Sequence, residues 1–260
     1  GMRLATSGPP GQGGAVSRGT RNLKVKHAPT WDENKTSADA VPLAVPESIE
    51  EPTLNALPDT RDEITAIATA LAADVKRDTF FGAQANRQTV MASDLKHRRV
   101  VAFATHGLVA GDLPGLDQPA LALSPAAGAS ISDGRLRLED ILKLSLDADL
   151  VVLSACNTAA ADGTGAEAVS GLGRGFFYAG ARAVLATHWP VETVSARQLV
   201  PHLFERYSKD AKLTRAQALR GAMLELIDKE VALDGACRPV ASYAHPAFSA
   251  PYALYGDPGR

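Results

Sequence analysis

The sequence predicts an α/β fold built on a mostly parallel sheet sandwiched between helices. Three runs carry this reading. Arg99–Thr105 and Ala148–Ala155 are continuous stretches dominated by Val, Leu and Ala, as expected of strands covered on both faces. Arg182–Thr187 has the same character. Segments with helical apolar spacing separate the runs, and strands alternating with helices at such distances build βαβ units.

Taken in order, residues 1–40 are rich in Gly, Pro, Ser, Thr and charge, with Gly8-Pro-Pro-Gly-Gln-Gly-Gly14 near their head. Such a stretch buries too little apolar surface to offset its ordering entropy. It reads as a flexible lead-in, with the folded domain over 41–260. Gly1-Met2 reads as a cloning scar, so the native start is expected upstream. Val41–Pro46 has the composition of a short edge strand, demoted by its two prolines.

Regular structure begins at Thr60-Arg-Asp-Glu63. This is a capping-box pattern, in which hydroxyl and carboxylate satisfy free amides at a helix start. Ile64, Ile67, Leu71 and Val75 continue the helix, and Phe80-Phe81 suit a short strand. A second helix is expected over Arg87–His97. The strand ending at His106 follows, then a loop with Gly107, Gly111, Pro114 and Gly115, then an apolar piece at Ala120–Leu123. Asp133-Gly134 signals a turn, and Leu138, Ile141, Leu142 and Leu144 mark a helix feeding the strand that ends at Cys156. Past a small-residue loop, Glu167–Tyr178 is helical, with Leu172, Phe176 and Phe177 facing the sheet. Arg182–Thr187 ends at His188-Trp189-Pro190. Helices over Thr193–Tyr207 and Arg215–Val231 and a last strand over Phe248–Tyr255 complete the chain.

Composition narrows the function. With 260 residues, 45% hydrophobic and 22% charged, the chain has ample capacity for a core. A net charge of -2 supplies no field to attract nucleic acid or an anionic membrane. No apolar run reaches the roughly 18 residues of a membrane span. The beginning lacks the basic and apolar pattern of a signal peptide, and a cytoplasmic location is expected. The two cysteines, Cys156 and Cys237, lack metal-ligand spacing, so neither a metal nor any other cofactor is expected. Cys237 lies in a loop-like stretch and reads as incidental.

In open α/β sheets, reactive groups gather beyond the carboxyl ends of the strands. His106 and Cys156 each follow such an end, and an imidazole beside a thiol makes a nucleophile pair. The plainer readings are a turn histidine and a small buried hydrophobe. His188, ending its own strand, is the rival base; Trp189 and Pro190 beside it favour a pocket wall, with core packing as the other reading. Glu192 can receive a basic side chain, although a solvated glutamate at a helix start is the simpler reading. Asp162 reads first as a solvated loop residue. Gly171-Leu-Gly-Arg-Gly175 lies in a helix rather than after a strand, against a phosphate loop and for close helix-to-sheet packing.

These segments together resemble the CHAT domain, a branch of the caspase-like cysteine peptidases. The resemblance rests on Phe103-Ala-Thr-His-Gly107, Asp149-Leu-Val-Val-Leu-Ser-Ala-Cys-Asn-Thr158, Gly175-Phe-Phe-Tyr-Ala-Gly-Ala-Arg182, His188-Trp-Pro-Val191 and Tyr252-Ala-Leu-Tyr-Gly-Asp257. Leu57-Pro-Asp-Thr-Arg-Asp-Glu63 is similar to the start of the family's first helix. The resemblance implies a three-layer α/β/α sandwich of caspase/haemoglobinase type and a cysteine endopeptidase acting on a specific protein or peptide. It implies His106 as general base, Cys156 as nucleophile, and the amides of Gly107 and Cys156 as the oxyanion hole. Ser154, two before the cysteine, and the loop with His188, Trp189 and Glu192 would line the primary pocket. No arginine is evident there, so aspartate specificity is not expected. Relatives often carry repeat or sensor modules upstream, so such modules or a regulatory partner are expected.

Relatives usually also show a clear hydrophobic first strand, where this chain offers only Val41–Pro46. That departure motivates the alternative of a catalytically silent interaction module using the same cleft. A Rossmann-like enzyme acting on a small molecule would need a phosphate-binding turn after an early strand, and the sequence has none.

Overall fold

The computed structural model describes residues 2–6, 54, 57, 59–113, 115–126, 129–154, 167–189, 191, 193–229, 231–233 and 239–259. In chain order the elements are β1 (Met2–Thr6), α1 (Thr60–Ala70), α2 (Val75–Asp78), β2 (Thr79–Phe80), α3 (Arg87–Ala92), β3 (Val100–Ala104), β4 (His106–Leu108), β5 (Ala120–Ala122), β6 (Arg135–Arg137) and α4 (Leu138–Ile141). There follow β7 (Leu150–Ser154), α5 (Glu167–Tyr178), β8 (Ala183–Thr187), α6 (Thr193–Lys209), α7 (Arg215–Lys229), β9 (Val231–Leu233), β10 (Pro239–Ser242), α8 (Pro246–Ser249) and β11 (Tyr252–Gly256).

The main sheet has the order β11-β8-β7-β3-β1-β2. All its neighbours run parallel except β11, which is antiparallel to β8. Every residue of β3 and β8 is buried, as is β7 up to its last residue, Ser154. Alternation splits the side chains between two cores. Val100, Ala102, Leu150, Val152 and Leu185 pack with Ile64 and Ile67 of α1 and with Leu199, Leu203, Phe204, Ala222 and Leu226 of α6 and α7. Val101, Phe103, Val151, Leu153 and Val184 pack with Leu172 and Phe176 of α5 and Ile141 of α4. Two cores on opposite faces of one sheet make the expected α/β/α layering.

The structure corrects several local expectations. Residues 2–6, read as part of a lead-in, form β1, paired with β3 from Met2↔Val100 to Thr6↔Ala104 and with β2. A five-residue strand ahead of a Gly/Pro-rich segment leaves no local signature; its pairing is wholly long-range. Val41–Pro46 lies outside the described residues. The second helix stops at Ala92 rather than His97. Gly107 is part of β4, opposite Leu121, in a small antiparallel sheet β4-β5-β6. The last segment is a short helix with Pro246 in its first turn, followed by β11. Gly175 serves helix-to-helix rather than helix-to-sheet packing, since a Cβ there would stand 2.7 Å from Leu138 Cδ1 of α4.

The capping box does not form. Asp59 is the N-cap and makes no side-chain capping bond. The Thr60 hydroxyl donates to the Leu57 carbonyl (2.6 Å) instead of accepting from an amide. Glu63, freed from the helix end, is buried on the face of α1 that also carries Ile64 and Ile67.

Candidate functional site

The site begins with a register. β3 and β7 are in-register neighbours from Val100↔Leu150 to Ala104↔Ser154. His106 therefore lies two residues beyond one member of the last pair, and Cys156 two residues beyond the other. Adjacent strands are separated by about 4.8 Å, so the strand ends Ala104 and Ser154 are neighbours on one edge. Between Ala104 and His106, the buried Thr105 hydroxyl donates to the Ala122 carbonyl and pins the crossing into the small sheet. His106 is half-buried and opens β4 opposite Ala122, with the buried Gly107 beside it. Cys156, Asp162, Pro190, Glu192 and Cys237 lie outside the described residues.

β8 flanks β7 on its other side, which brings His188 and Trp189 to the same rim. Both are exposed. The His188 amide donates to the Pro251 carbonyl (2.9 Å), and its Nε2 lies 2.9 Å from the Tyr255 hydroxyl on β11. The two rings stack edge-to-face at 6.0 Å. Burial raises the Tyr255 phenol above its usual range, keeping it a neutral hydrogen-bonding group. The Trp189 indole N–H donates to the Ala247 carbonyl (3.3 Å). The His188 ring is thus engaged toward β11, the neighbour of β8 farther from β7.

The sequence reading missed Glu63. Its carboxyl meets the Ser154 hydroxyl, two residues before Cys156. The residue is only 4% exposed, and Oε1 has no hydrogen-bond partner among the described residues. Burial pushes this carboxyl up to about 7, and the Ser154 hydrogen bond only partly opposes that rise. The available signal was the helical spacing that puts Glu63 beside Ile64 and Ile67; the capping-box motif concealed it.

Among the described residues no group of three His, Cys, Asp or Glu side chains is placed to hold a metal ion. No described helix is long and apolar enough to cross a membrane. No curated protein matches the chain significantly. A family model described as "CHAT domain" matches residues 15–257. With that match across most of its length, and a mostly parallel sheet enclosed by helices, this chain belongs to the CHAT-domain family, whose fold is caspase-like.

Proposed function

We propose that the protein is a cysteine endopeptidase in which Cys156 is the nucleophile and His106 the base and acid. The observation that carries this reading is the Ala104↔Ser154 register, which aligns the two strand ends from which these residues follow. The half-buried state of His106 supports it, because a base needs both access to substrate and partial exclusion of water.

A free thiol has a pKa near 8.5 and is mostly protonated at neutral pH. The His106 imidazole takes the Sγ proton as sulfur bonds to the peptide carbonyl carbon, and the carbonyl π electrons move onto oxygen. The backbone amides of Gly107 and Cys156 stabilise that oxyanion, each such donor contributing roughly 3 kcal/mol in comparable hydrolases. Collapse re-forms the carbonyl and breaks the C–N bond, and the imidazolium gives its proton to the departing amine. Water then attacks the thioester, His106 accepts its proton, and the thiolate leaves. His188, with its ring engaged by Tyr255, acts as pocket wall alongside Trp189, Ser154 and Glu192. The substrate is a specific protein, and upstream repeat or sensor modules, or a regulatory partner, control access to the site.

The rival reading, a silent interaction module, drew its motive from a missing first strand and an undefined pocket. β1 in the sheet between β3 and β2 removes the first of these. The test is amino-terminal labelling of a proteome exposed to the wild-type chain or to Cys156→Ala. New termini that depend on the thiol are expected; identical sets of termini would refute the proposal.

A further inference from the structure

We infer that Glu63, beneath Ser154, is the acidic floor of the primary pocket and selects a lysine or arginine on the acyl side of the cleaved bond. The inference rests on the peptidase reading and adds a substrate class to it. The first argument is position. Ser154 is half-buried at the tip of β7, with its hydroxyl on the Glu63 carboxyl. Two residues of chain span at most about 7 Å, so the main chain of the proposed nucleophile starts within that distance of Ser154. The long stem of lysine or arginine covers this distance and delivers its charge to the serine and the carboxyl behind it.

The second argument is the company Glu63 keeps. The sheet face covered by α1, α6 and α7 is apolar over most of its height. At the carboxyl end of the strands it turns polar. Alternation along β7 and β8 puts Ser154 and Thr187 on this face, above Val152 and Leu185. Glu63 meets that polar end from α1. An apolar layer that changes character at the edge where reactive groups gather is built for a polar ligand.

The third argument is the missing counter-charge. No ion pair joins Glu63 among the described residues, and one of its carboxyl oxygens is buried without a partner. Native proteins rarely leave such an atom unmatched, because an unsatisfied buried acceptor is costly. A guanidinium or ammonium arriving with substrate supplies both the missing donors and the missing charge, and a charge-assisted bond of this kind is strong where water is excluded. Apolar and acidic side chains supply neither.

The test separates this inference from the peptidase reading by measuring binding without turnover. Fluorescein-labelled pentapeptides that end in Arg, Lys, Leu or Asp with a free carboxylate are titrated into the full chain carrying Cys156→Ala, and anisotropy is read. The Arg and Lys peptides are expected to bind at least about tenfold tighter than the Leu and Asp peptides. Adding Glu63→Gln should remove that preference, bringing the Arg and Lys peptides to within about twofold of the Leu peptide. Ser154→Asp placed on the Glu63→Gln background should restore it, because it returns a carboxylate to the same pocket. Preference for Leu or Asp, equal binding of all four, or binding of none overturns the inference, even if wild-type cleavage is then observed at other residues. Basic-selective binding that depends on Glu63, in a wild-type chain that cleaves nothing, upholds Glu63 as the floor of a pocket for basic side chains and removes the peptidase reading instead.

Discussion

The two ends of the central sheet treat buried carboxyls in opposite ways. At the amino end, Asp78 precedes β2 and Asp149 precedes β7, and each is answered by arginines. Asp149 meets Arg99 (2.6 Å) and Arg182 (2.5 Å), which precede β3 and β8. Asp78 meets Arg77 (2.7 Å) and Arg98 (3.2 Å). The hydrogen bond from Arg77 is the largest influence on Asp78 and holds it below the usual carboxylate range. For Asp149, burial is the largest single influence and pushes upward, but the bonds from Arg99 and Arg182 together outweigh it. At the carboxyl end Glu63 has a serine instead of a cation, and burial prevails. The amino end resembles a sutured seam, where charge holds strands in register. The carboxyl end keeps an acid in reserve at the edge where the proposed chemistry takes place.

That contrast predicts effects of different kinds at the two ends. The largest are on activity at the carboxyl end. Cys156→Ala should abolish thiol-dependent cleavage, and His106→Ala should lower it by about 10²- to 10⁴-fold, the usual range for a general base. Neither should shift the midpoint of thermal unfolding by more than a few degrees.

Next in size is an opposition in pH dependence. The folded pKa of Glu63 is raised from 4.5 to about 7. Its contribution to stability is fully present below pH 4.5 and is lost as pH rises toward and through 7, an effect of about 3 kcal/mol for a shift of this size. Asp78 and Asp149 have the reverse sign. Their contribution is present above the unfolded value of 3.8 and is lost as pH falls through their depressed folded values. Denaturant unfolding of the wild type and Glu63→Gln from pH 4.5 to 8 should give curves that diverge as pH rises, with the wild type losing ground. Parallel curves would show that Glu63 ionises normally and would collapse the contrast.

Asp149→Ala should cost about 2 kcal/mol, read by denaturant unfolding at neutral pH. It loses two bonds between charged groups, discounted because both arginines are half or more exposed. Its catalytic constants should stay within about twofold of wild type. The smallest effect is at the flank of the same helix as Glu63. Arg197 bridges Asp59 and Asp62 at 3.3 Å on the surface, and Arg197→Ala should cost no more than about 0.5 kcal/mol.

Much of the framework was legible in the amino-acid order. β3, β7 and β8 are apolar runs that need cover on both faces, and α5, α6 and α7 show apolar spacing at the helical period. These features suffice to place His106, Ser154 and His188 at one rim. What stayed hidden depends on partners distant in sequence. β1 is five residues long and exists because β3 and β2 bond to it. Phe248–Tyr255 looks like one strand, yet Pro246 initiates a helical turn and pairing with β8 starts only at Tyr252. The most instructive misreading is Thr60-x-x-Glu63. A local rule assigned both side chains to a helix end, and tertiary packing gave the carboxyl to Ser154 instead. A motif that satisfies one local rule can conceal a charged group the fold uses elsewhere.

The most direct trial of the account is reaction of the wild-type chain with a peptidyl-arginine chloromethyl ketone, followed by mass mapping. Sγ displaces chloride, so a stable adduct reports nucleophile, base and pocket together. The expected result is one adduct, on Cys156, which is absent in His106→Ala, formed at least about tenfold more slowly in Glu63→Gln, and formed more slowly still with the leucyl analogue. An unmodified Cys156, or equal labelling of Cys156 and Cys237 whatever the residue at 106, would contradict it.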